Sequence, residues 1–160
     1  MDHFVSTYTN RVDAKGRVSV PAPFRNILAK EGCEGVFCYP TLEQEALDAG
    51  GNRLTSTIQS LLDNLSPYSD ERDHLATALF GVSEMLKLDA DGRVILSDRL
   101  KAHAGISDAV TFVGLGDKFR IWEPSRFEAD LAKGRKGLRE YKQLLSAAGR
   151  SGAGLAGGRE

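Results

Sequence analysis

The same short motif occurs at two places in the 160-residue chain, and each copy ends in an arginine. The motifs are Asp13-Ala14-Lys15-Gly16-Arg17 and Asp89-Ala90-Asp91-Gly92-Arg93. The glycine can take the positive φ of a tight turn, and the aspartate can accept a hydrogen bond from the backbone two residues on. Such a turn exposes its arginine, and a guanidinium can bond bidentately to a phosphate or to guanine O6 and N7. The residues predicted to shape the two turns are Asp13, Gly16, Asp89 and Gly92.

Basic residues near the two motifs form a candidate nucleic-acid surface. Lys15 suits phosphate, because its ammonium group is a mobile point charge, and Arg11 and Arg25 are predicted to widen the surface around Arg17. In the second motif Asp91 stands in place of Lys15, so phosphate is expected to be repelled from that turn. The candidate DNA-contacting residues are Arg11, Lys15, Arg17, Arg25, Arg93, Arg99 and Lys101.

Each arginine also has a structural interpretation. Arg17 can pair with Asp13 and so fix the turn, and both roles can hold if Asp13 orients Arg17. For Arg93, direct DNA contact and an intramolecular role stay open as equal alternatives.

Other chemistry has little support in the sequence. Cys33 and Cys38 are spaced C-x4-C without a matching histidine pair, whereas a structural metal needs four convergent ligands. Burial of Cys38 in a strand is the better interpretation. No local frame of a catalytic triad and no phosphate-binding G-x-x-x-x-G-K-[ST] loop occurs. We therefore expect no enzyme activity, no metal, no cofactor and no small-molecule substrate.

Composition indicates a globular protein, with 41% hydrophobic and 27% charged residues and a formal net charge of -1. The charge is uneven: residues 1–30 carry +3, residues 31–90 carry -8 and residues 91–160 carry +4. A positive face can therefore exist on a nearly neutral protein. No apolar run approaches the length of a membrane-spanning helix, and no secretory pattern is seen. We therefore expect no membrane span and an intracellular, reducing compartment.

An internal repeat relates the two motifs, with Asp13 aligned to Asp89 and Arg17 to Arg93, and the similarity extends into the apolar residues that follow each motif. Each unit is predicted to hold a strand, the turn, a second strand paired as a hairpin, and a short helix. Helix signals are Pro21 and Gly32 in the first unit and Ser97 and Gly105 in the second. The second unit is predicted to end in a hairpin, residues 110–113 and 118–122. The first unit is predicted to be shorter, with room for one strand, residues 36–39, in a segment whose residues 37–40 align with residues 121–124.

Helices are predicted between and after the repeats. The apolar stripe Leu54, Ile58, Leu61, Leu62 and Leu65 has helical spacing and is assigned mainly to the core. Asp70 is predicted to cap a second helix that ends at Gly81. After Pro124 two helices are expected, interrupted by Gly134 and Gly137. Residues 146–160 are rich in Gly and Ala and are predicted to be disordered.

The two motifs, each followed by a short helix, resemble the SpoVT-AbrB DNA-binding fold. Two copies in one chain, with Val20-Pro21, Phe24-Arg25 and Phe119-Arg120-Ile121-Trp122 near them, resemble the MraZ family over about residues 4–132. The resemblance implies an α+β fold in which duplicated SpoVT-AbrB-type hairpin and helix units form one pseudo-symmetric, small β-barrel-like body with flanking helices. The predicted segments are repeat 1 at 7–50, a helical connector at 51–82, repeat 2 at 83–126, and C-terminal helices with a basic tail at 127–160.

The resemblance further implies a cytoplasmic, nucleoid-associated transcription regulator. It would bind short direct repeats in double-stranded DNA upstream of the division and cell-wall gene cluster, including its own promoter, and would assemble into a ring-like homo-oligomer. The alternative is a protein-interaction module of the same fold, such as an antitoxin-like partner binder. Toxin-neutralising tails are usually acidic and apolar, whereas residues 133–160 hold seven basic and two acidic residues, which favours the regulator.

Overall fold

The short strands follow one another in pairs along the chain, and helices lie between and after the pairs. The computed structural model describes residues 2–157, and side chains for residues 2–149. The strands are β1 (Thr7–Arg11), β2 (Arg17–Ser19), β3 (Gly35–Pro40), β4 (Leu47–Gly50), β5 (Glu84–Lys87), β6 (Arg93–Ile95), β7 (Ala109–Gly114) and β8 (Phe119–Trp122). The helices are α1 (Ala22–Lys30), α2 (Asn52–Asp63), α3 (Asp70–Ala76), α4 (Asp98–Ala104), α5 (Pro124–Lys136) and α6 (Leu138–Gly157). The chain divides into two compact units at Pro124.

The fold is α+β, and its strands pair antiparallel in two sheets. Six strands form one sheet in the order β1-β7-β8-β4-β3-β5, and β2 pairs with β6 as a separate two-stranded ribbon. Within the described residues the larger sheet has two edges, β1 and β5, so these strands form no closed barrel.

The turns at the two motifs form as predicted, but the hairpins do not. The N–H of Asp13 donates to the carbonyl of Arg17 at 3.0 Å, and the N–H of Asp89 donates to the carbonyl of Arg93 at 2.9 Å. Beyond each turn the two strands part. β1 pairs with β7, β5 pairs with β3, and β2 pairs with β6. Each strand therefore finds its partner in the other repeat, a tertiary choice that local turn chemistry does not specify.

The pairing registers bring corresponding residues of the two repeats opposite each other. Val18 faces Val94, its equivalent in the second motif, at the centre of the ribbon. In the large sheet Asp48 faces Arg120, where β4 meets β8. Equivalent positions of the two repeats thus meet each other at both places.

Repeat 1 contains one strand more than the sequence predicted. β3 and β4 pair as a hairpin, with Cys38 opposite Ala49, as β7 and β8 pair with Phe112 opposite Ile121. The alignment of residues 37–40 with residues 121–124 is therefore wrong, because β3 corresponds to β7. β4 has the sequence Leu-Asp-Ala-Gly, and Asp, Ala and Gly are poor strand formers, so its strand depends on neighbours on both sides.

The short helices begin and end where the sequence indicates. Pro21 precedes α1, and Gly32 follows it at a φ of 80°. The Ser97 hydroxyl accepts from the N–H of Leu100 to cap α4, and Gly105 ends that helix in the left-handed region at a φ of 66°. In α2, Leu54, Ile58 and Leu62 are buried as predicted, whereas Leu61 is 60% exposed.

Three helix predictions need correction. Ser69, not Asp70, caps α3 by accepting from the N–H of Arg72, and a π-helical turn, Thr77–Gly81, follows that helix. α5 continues through Gly134 and ends before Gly137. α6 extends to Gly157, so residues 146–157 are helical where disorder was predicted, and residues 158–160 lie outside the described residues. None of the described helices combines the length and apolarity needed to cross a membrane.

The main core joins the two repeats. Val18, Val20, Val94 and Leu96 are buried together in it, which confirms the predicted packing of one repeat on the other. Aromatic rings add to this contact, since Phe24 of α1 lies 4.9 Å between ring centroids from Phe119 of β8. A second cluster packs α2 on β3 through Phe37, Tyr39, Leu54, Ile58 and Leu62.

Two neighbouring residues at the end of β6 should differ sharply in their contribution to stability. Leu96 is 2% exposed and Ile95 is 60% exposed. We expect Leu96→Ala to lower the free energy of unfolding by about 2–5 kcal/mol, because it leaves a cavity in the shared core. Ile95→Ala should change it by less than about 0.5 kcal/mol. Urea unfolding followed by circular dichroism measures both, and equal losses would contradict the inward orientation of Leu96.

Candidate nucleic-acid interface

The first turn is held together by one carboxylate. Asp13 Oδ1 accepts from the N–H groups of Lys15 and Arg17, both at 2.9 Å, and Asp13 Oδ2 accepts from Arg17 Nε at 2.7 Å. The backbone bond from Arg17, followed by its side-chain bond and the bond from Lys15, lowers the pKa of Asp13. Asp13 is therefore ionised near neutral pH and fixes the direction of the Arg17 guanidinium. The structural role of Arg17 in the turn and its DNA-contacting role are compatible, because the ion pair with Asp13 orients the Arg17 side chain and leaves part of it exposed.

The second turn repeats this geometry and adds one ion pair. Asp89 Oδ1 accepts from the N–H groups of Asp91 and Arg93 at 2.9 Å, and Asp89 Oδ2 accepts from Arg93 Nε at 3.1 Å. The backbone bond from Arg93 is the largest of the effects that lower the pKa of Asp89. Arg93 also donates through a terminal amino group to Asp91 at 3.2 Å. Arg93 is thus paired with two carboxylates, whereas the ion pair of Arg17 involves Asp13.

A basic side chain from each repeat lies over the turn of the other repeat. Arg25 donates to the carbonyl of Val20 at 3.0 Å, and its side chain packs so closely on Gly92 that a Cβ there would lie 2.5 Å from its terminal nitrogen. Lys101 lies in the equivalent place, with Nζ 3.7 Å from the position of a Cβ on Gly16. Both glycines have the predicted positive φ, 80° for Gly16 and 77° for Gly92.

These contacts regroup the predicted basic residues. Lys101 joins Lys15 and Arg17 at the first turn, while Arg25, which the sequence grouped with Arg17, lies against the second turn beside Arg93. Backbone hydrogen bonds also join each turn to the other repeat. The N–H of Leu96 donates to the carbonyl of Gly16 at 2.9 Å, and the N–H of Val20 donates to the carbonyl of Gly92 at 3.0 Å.

Two predicted contact residues lie apart from these groups. Arg11 is exposed at the end of β1, where it pairs with Ala109. Arg99 donates to the carbonyl of Val82 at 2.9 Å and to the Glu84 carboxylate at 3.0 Å. Arg99 therefore ties α4 to the segment that leads into β5.

The ribbon of β2 and β6 presents an outer face between the two turns. Side chains alternate along each strand, so Val18 and Val94 point into the core and Arg17, Ser19, Arg93 and Ile95 share the opposite face. Ile95 lies directly opposite Arg17 and is 60% exposed. Sequence reasoning missed Ile95, although its position between buried Val94 and Leu96 was a usable signal.

The two turns differ in charge despite their shared geometry. Lys15, Arg17 and Asp13 give the first turn a charge of +1, while Arg93, Asp89 and Asp91 give the second turn a charge of -1. Lys101, which is paired with exposed Asp98 at 3.5 Å, lies near the first turn, and Arg25 lies near the second. The first turn is consequently the more favourable place for a phosphate or a guanine edge.

The described residues contain no side-chain cluster suited to binding a metal, and their two cysteines form no disulfide. No group of three or more His, Cys, Asp or Glu side chains converges there. Both cysteines are free, and burial raises the pKa of the Cys38 thiol well above its usual range. Cys38 is therefore a protonated core side chain at neutral pH.

Comparison of the sequence with known proteins identifies its family. Residues 79–143 match the family model described as "MraZ protein, putative antitoxin-like". A protein of Xanthobacter autotrophicus named "Transcriptional regulator MraZ" is 59% identical over 91% of the chain and 92% of its own length. Proteins of the same name from Azorhizobium caulinodans and Methylocella silvestris are 54% and 55% identical, over 98% and 92% of the chain and 98% and 90% of their own lengths. With this similarity along nearly its whole length, the chain belongs to the MraZ family.

Proposed function

We propose that the protein is a sequence-specific, DNA-binding transcriptional regulator that reads double-stranded DNA with the β2–β6 ribbon and its first turn. The observation that carries the proposal is the Asp13–Arg17 pair on the outer face of a two-stranded ribbon. The name "Transcriptional regulator" of its close relatives agrees with this role. We propose no enzyme activity, cofactor or small-molecule substrate for this function.

The ribbon has a suitable shape for the major groove. That groove is about 12 Å wide and admits a two-stranded β-ribbon. Arg17 Nε donates to Asp13 Oδ2, and the hydrogen bonds of the described residues leave the terminal amino groups of Arg17 for guanine O6 and N7. Ile95, beside Arg17 on the same face, can contact a thymine methyl group.

The remaining basic residues are assigned graded roles. Lys15 and Lys101 bind phosphate beside the first turn, and Arg11 contributes charge at the end of β1. Arg93 and Arg25 form a weaker contact at the second turn, because Asp89 and Asp91 offset their charge. Arg99 acts mainly within the fold, through Glu84.

The proposed DNA target is a set of short direct repeats upstream of the division and cell-wall gene cluster, including the promoter of this gene. The protein would act in the cytoplasm, associated with the nucleoid. We propose residues 7–50 and 83–126 as the two repeats, residues 51–82 as their connector, and residues 127–160 as a C-terminal extension. Footprinting on the DNA upstream of the gene tests the target directly.

A protein-interaction role is the second candidate, and the surface of α6 favours it. Leu138, Tyr141, Leu144 and Leu145 are each more than half exposed on this helix. Such a face suits a partner helix. Removing residues 137–160 would leave DNA binding by single subunits intact if the ribbon binds DNA. It would abolish binding of a protein partner if α6 holds the partner site.

We propose a ring-like homo-oligomer, and the exposed face of α6 as part of its contact. One chain carries one net-positive turn, and joining several chains raises the effective concentration of the later turns on repeated DNA. Light scattering at micromolar protein and moderate salt should give a multiple of the 17.4 kDa chain mass. Tyr141→Glu with Leu145→Glu should reduce that mass, whereas Lys142→Glu on the same helix should not. A monomer for the unchanged protein contradicts the proposal.

Arg17→Ala should remove the preference for specific DNA. If Arg17 reads guanine, its loss costs on the order of 1–3 kcal/mol for each engaged subunit. Arg93→Ala is the matched control and should have a smaller effect, because Asp89 and Asp91 already neutralise Arg93. Affinities for specific and scrambled duplexes at several salt concentrations measure both. If Arg93→Ala loses the preference and Arg17→Ala keeps it, the second turn is the reading element.

Lys15→Ala should weaken binding to every duplex alike. Loss of one phosphate contact reduces the magnitude of the negative slope of log affinity against log salt by about one. The reciprocal change, Asp91→Lys, should raise affinity for every duplex and steepen the slope, since it removes a negative charge from the second turn and adds a positive one. The same salt titrations provide the measurement. An unchanged slope in both variants would place the two turn tips away from DNA.

A further inference from the structure

A cavity of about 390 Å³ lies where repeat 1 and repeat 2 meet in the large sheet. The polar part of its lining comes from the β3–β4 hairpin and from β8 with its preceding loop: Tyr39, Thr41, Glu43, Gln44, Asp48, Lys118 and Arg120. Ile58 and Leu61 of α2, Leu79 of the π-helical turn and Leu42 form the apolar part. Leu42 and Leu61 are 52% and 60% exposed, so the cavity opens to solvent between apolar side chains.

The buried part of the polar wall is a charged network centred on Asp48. Asp48 is 3% exposed and accepts from Arg120 Nε at 2.6 Å, from Lys118 Nζ at 3.1 Å and from the Tyr39 hydroxyl at 3.2 Å. Burial by itself raises the pKa of Asp48, but the bonds and charges of Arg120 and Lys118 outweigh it and lower the pKa. Asp48 is thus ionised, and its charge cancels one of the two cations.

Lys118 and Arg120 have more hydrogen-bond donors than their bonds to Asp48 use. An ammonium group has three donors and a guanidinium has five. The hydrogen bonds of the described residues use one bond from Lys118 and two from Arg120. The Thr41 side-chain oxygen is buried without a hydrogen-bond partner in the described residues, in the loop that closes the same cavity. The fold therefore supplies spare donors beside an apolar chamber.

We propose that this cavity binds a small amphiphilic carboxylate, with its anionic head on Lys118 and Arg120 and its apolar tail against Ile58, Leu61 and Leu79. The formal charges of Lys118, Arg120, Asp48 and Glu43 sum to zero, so a monoanion is repelled less by the two carboxylates than a doubly charged phosphate is. Glu43 also lines the cavity but is exposed, so solvent screens its repulsion more than it screens the attraction of the half-buried cations. The cavity is within the range of small-molecule sites. The site is independent of the ribbon and of the proposed DNA binding.

Octanoate below its micelle concentration is the probe, titrated into the ¹⁵N-labelled full chain and followed by amide chemical shifts. We expect saturable shifts in residues 41–46 and 58–61, with affinity about tenfold higher than for octan-1-ol, because the head group is held by charge-assisted hydrogen bonds. Inorganic phosphate should produce no saturable shift at these residues. Shifts that change with protein concentration alone would mean that a second copy covers the groove, and would overturn the proposal.

Two variants separate the head-group contact from simple apolar binding. Lys118→Met should weaken octanoate about tenfold and leave octan-1-ol unchanged, and Lys87→Met, at another cavity, is the matched control. Glu43→Gln, on the exposed loop, should strengthen octanoate about twofold and keeps the test valid if Lys118→Met folds poorly. Equal affinities for octanoate and octan-1-ol in all variants, or saturation by phosphate as strong as by octanoate, would overturn the proposed ligand class.

Discussion

Pairing between β2 and β6 is the contact on which the arrangement of the candidate interface depends. Each strand has three residues, too few to persist alone. Val18 and Val94 meet at the ribbon centre and bury their side chains in the core shared by both repeats. The carbonyls of Gly16 and Gly92 accept bonds from the opposite repeat at the two ends of the ribbon. Because inward burial of the valines is fixed, the outward direction of Arg17 and Arg93 is fixed as well.

Joining the two repeats in one chain allows unlike residues to face each other where the repeats pair. In a symmetric dimer of one repeat, Asp48 would face its own copy, and like charges directly opposite each other destabilise a sheet. Here Arg120 occupies the equivalent position, so a buried carboxylate faces a guanidinium at 2.6 Å. The same freedom gives the turns opposite net charges, through Lys15 and Asp91. The two turns therefore share their backbone geometry while their charges differ.

Exchange of strands also explains why basic residues that are distant in sequence come together. Lys101 reaches the first turn and Arg25 reaches the second, because each helix follows a ribbon strand that crosses to the other repeat. Neither contact costs a buried charge, since Arg25 and Lys101 are only half-buried. The result is two mixed clusters, each built from both repeats, in place of two independent sites.

The sequence alone determined the features that depend on residues close together in the chain. The two Asp-Ala-x-Gly-Arg turns and the helix signals at Pro21, Ser97 and Gly105 all follow from local backbone chemistry and from spacing. Tertiary structure decided which strands pair, that residues 47–50 form a strand, and that Ile95 shares a face with Arg17. These outcomes depend on burial and hydrogen bonding between segments that lie far apart in the chain, which no local propensity encodes.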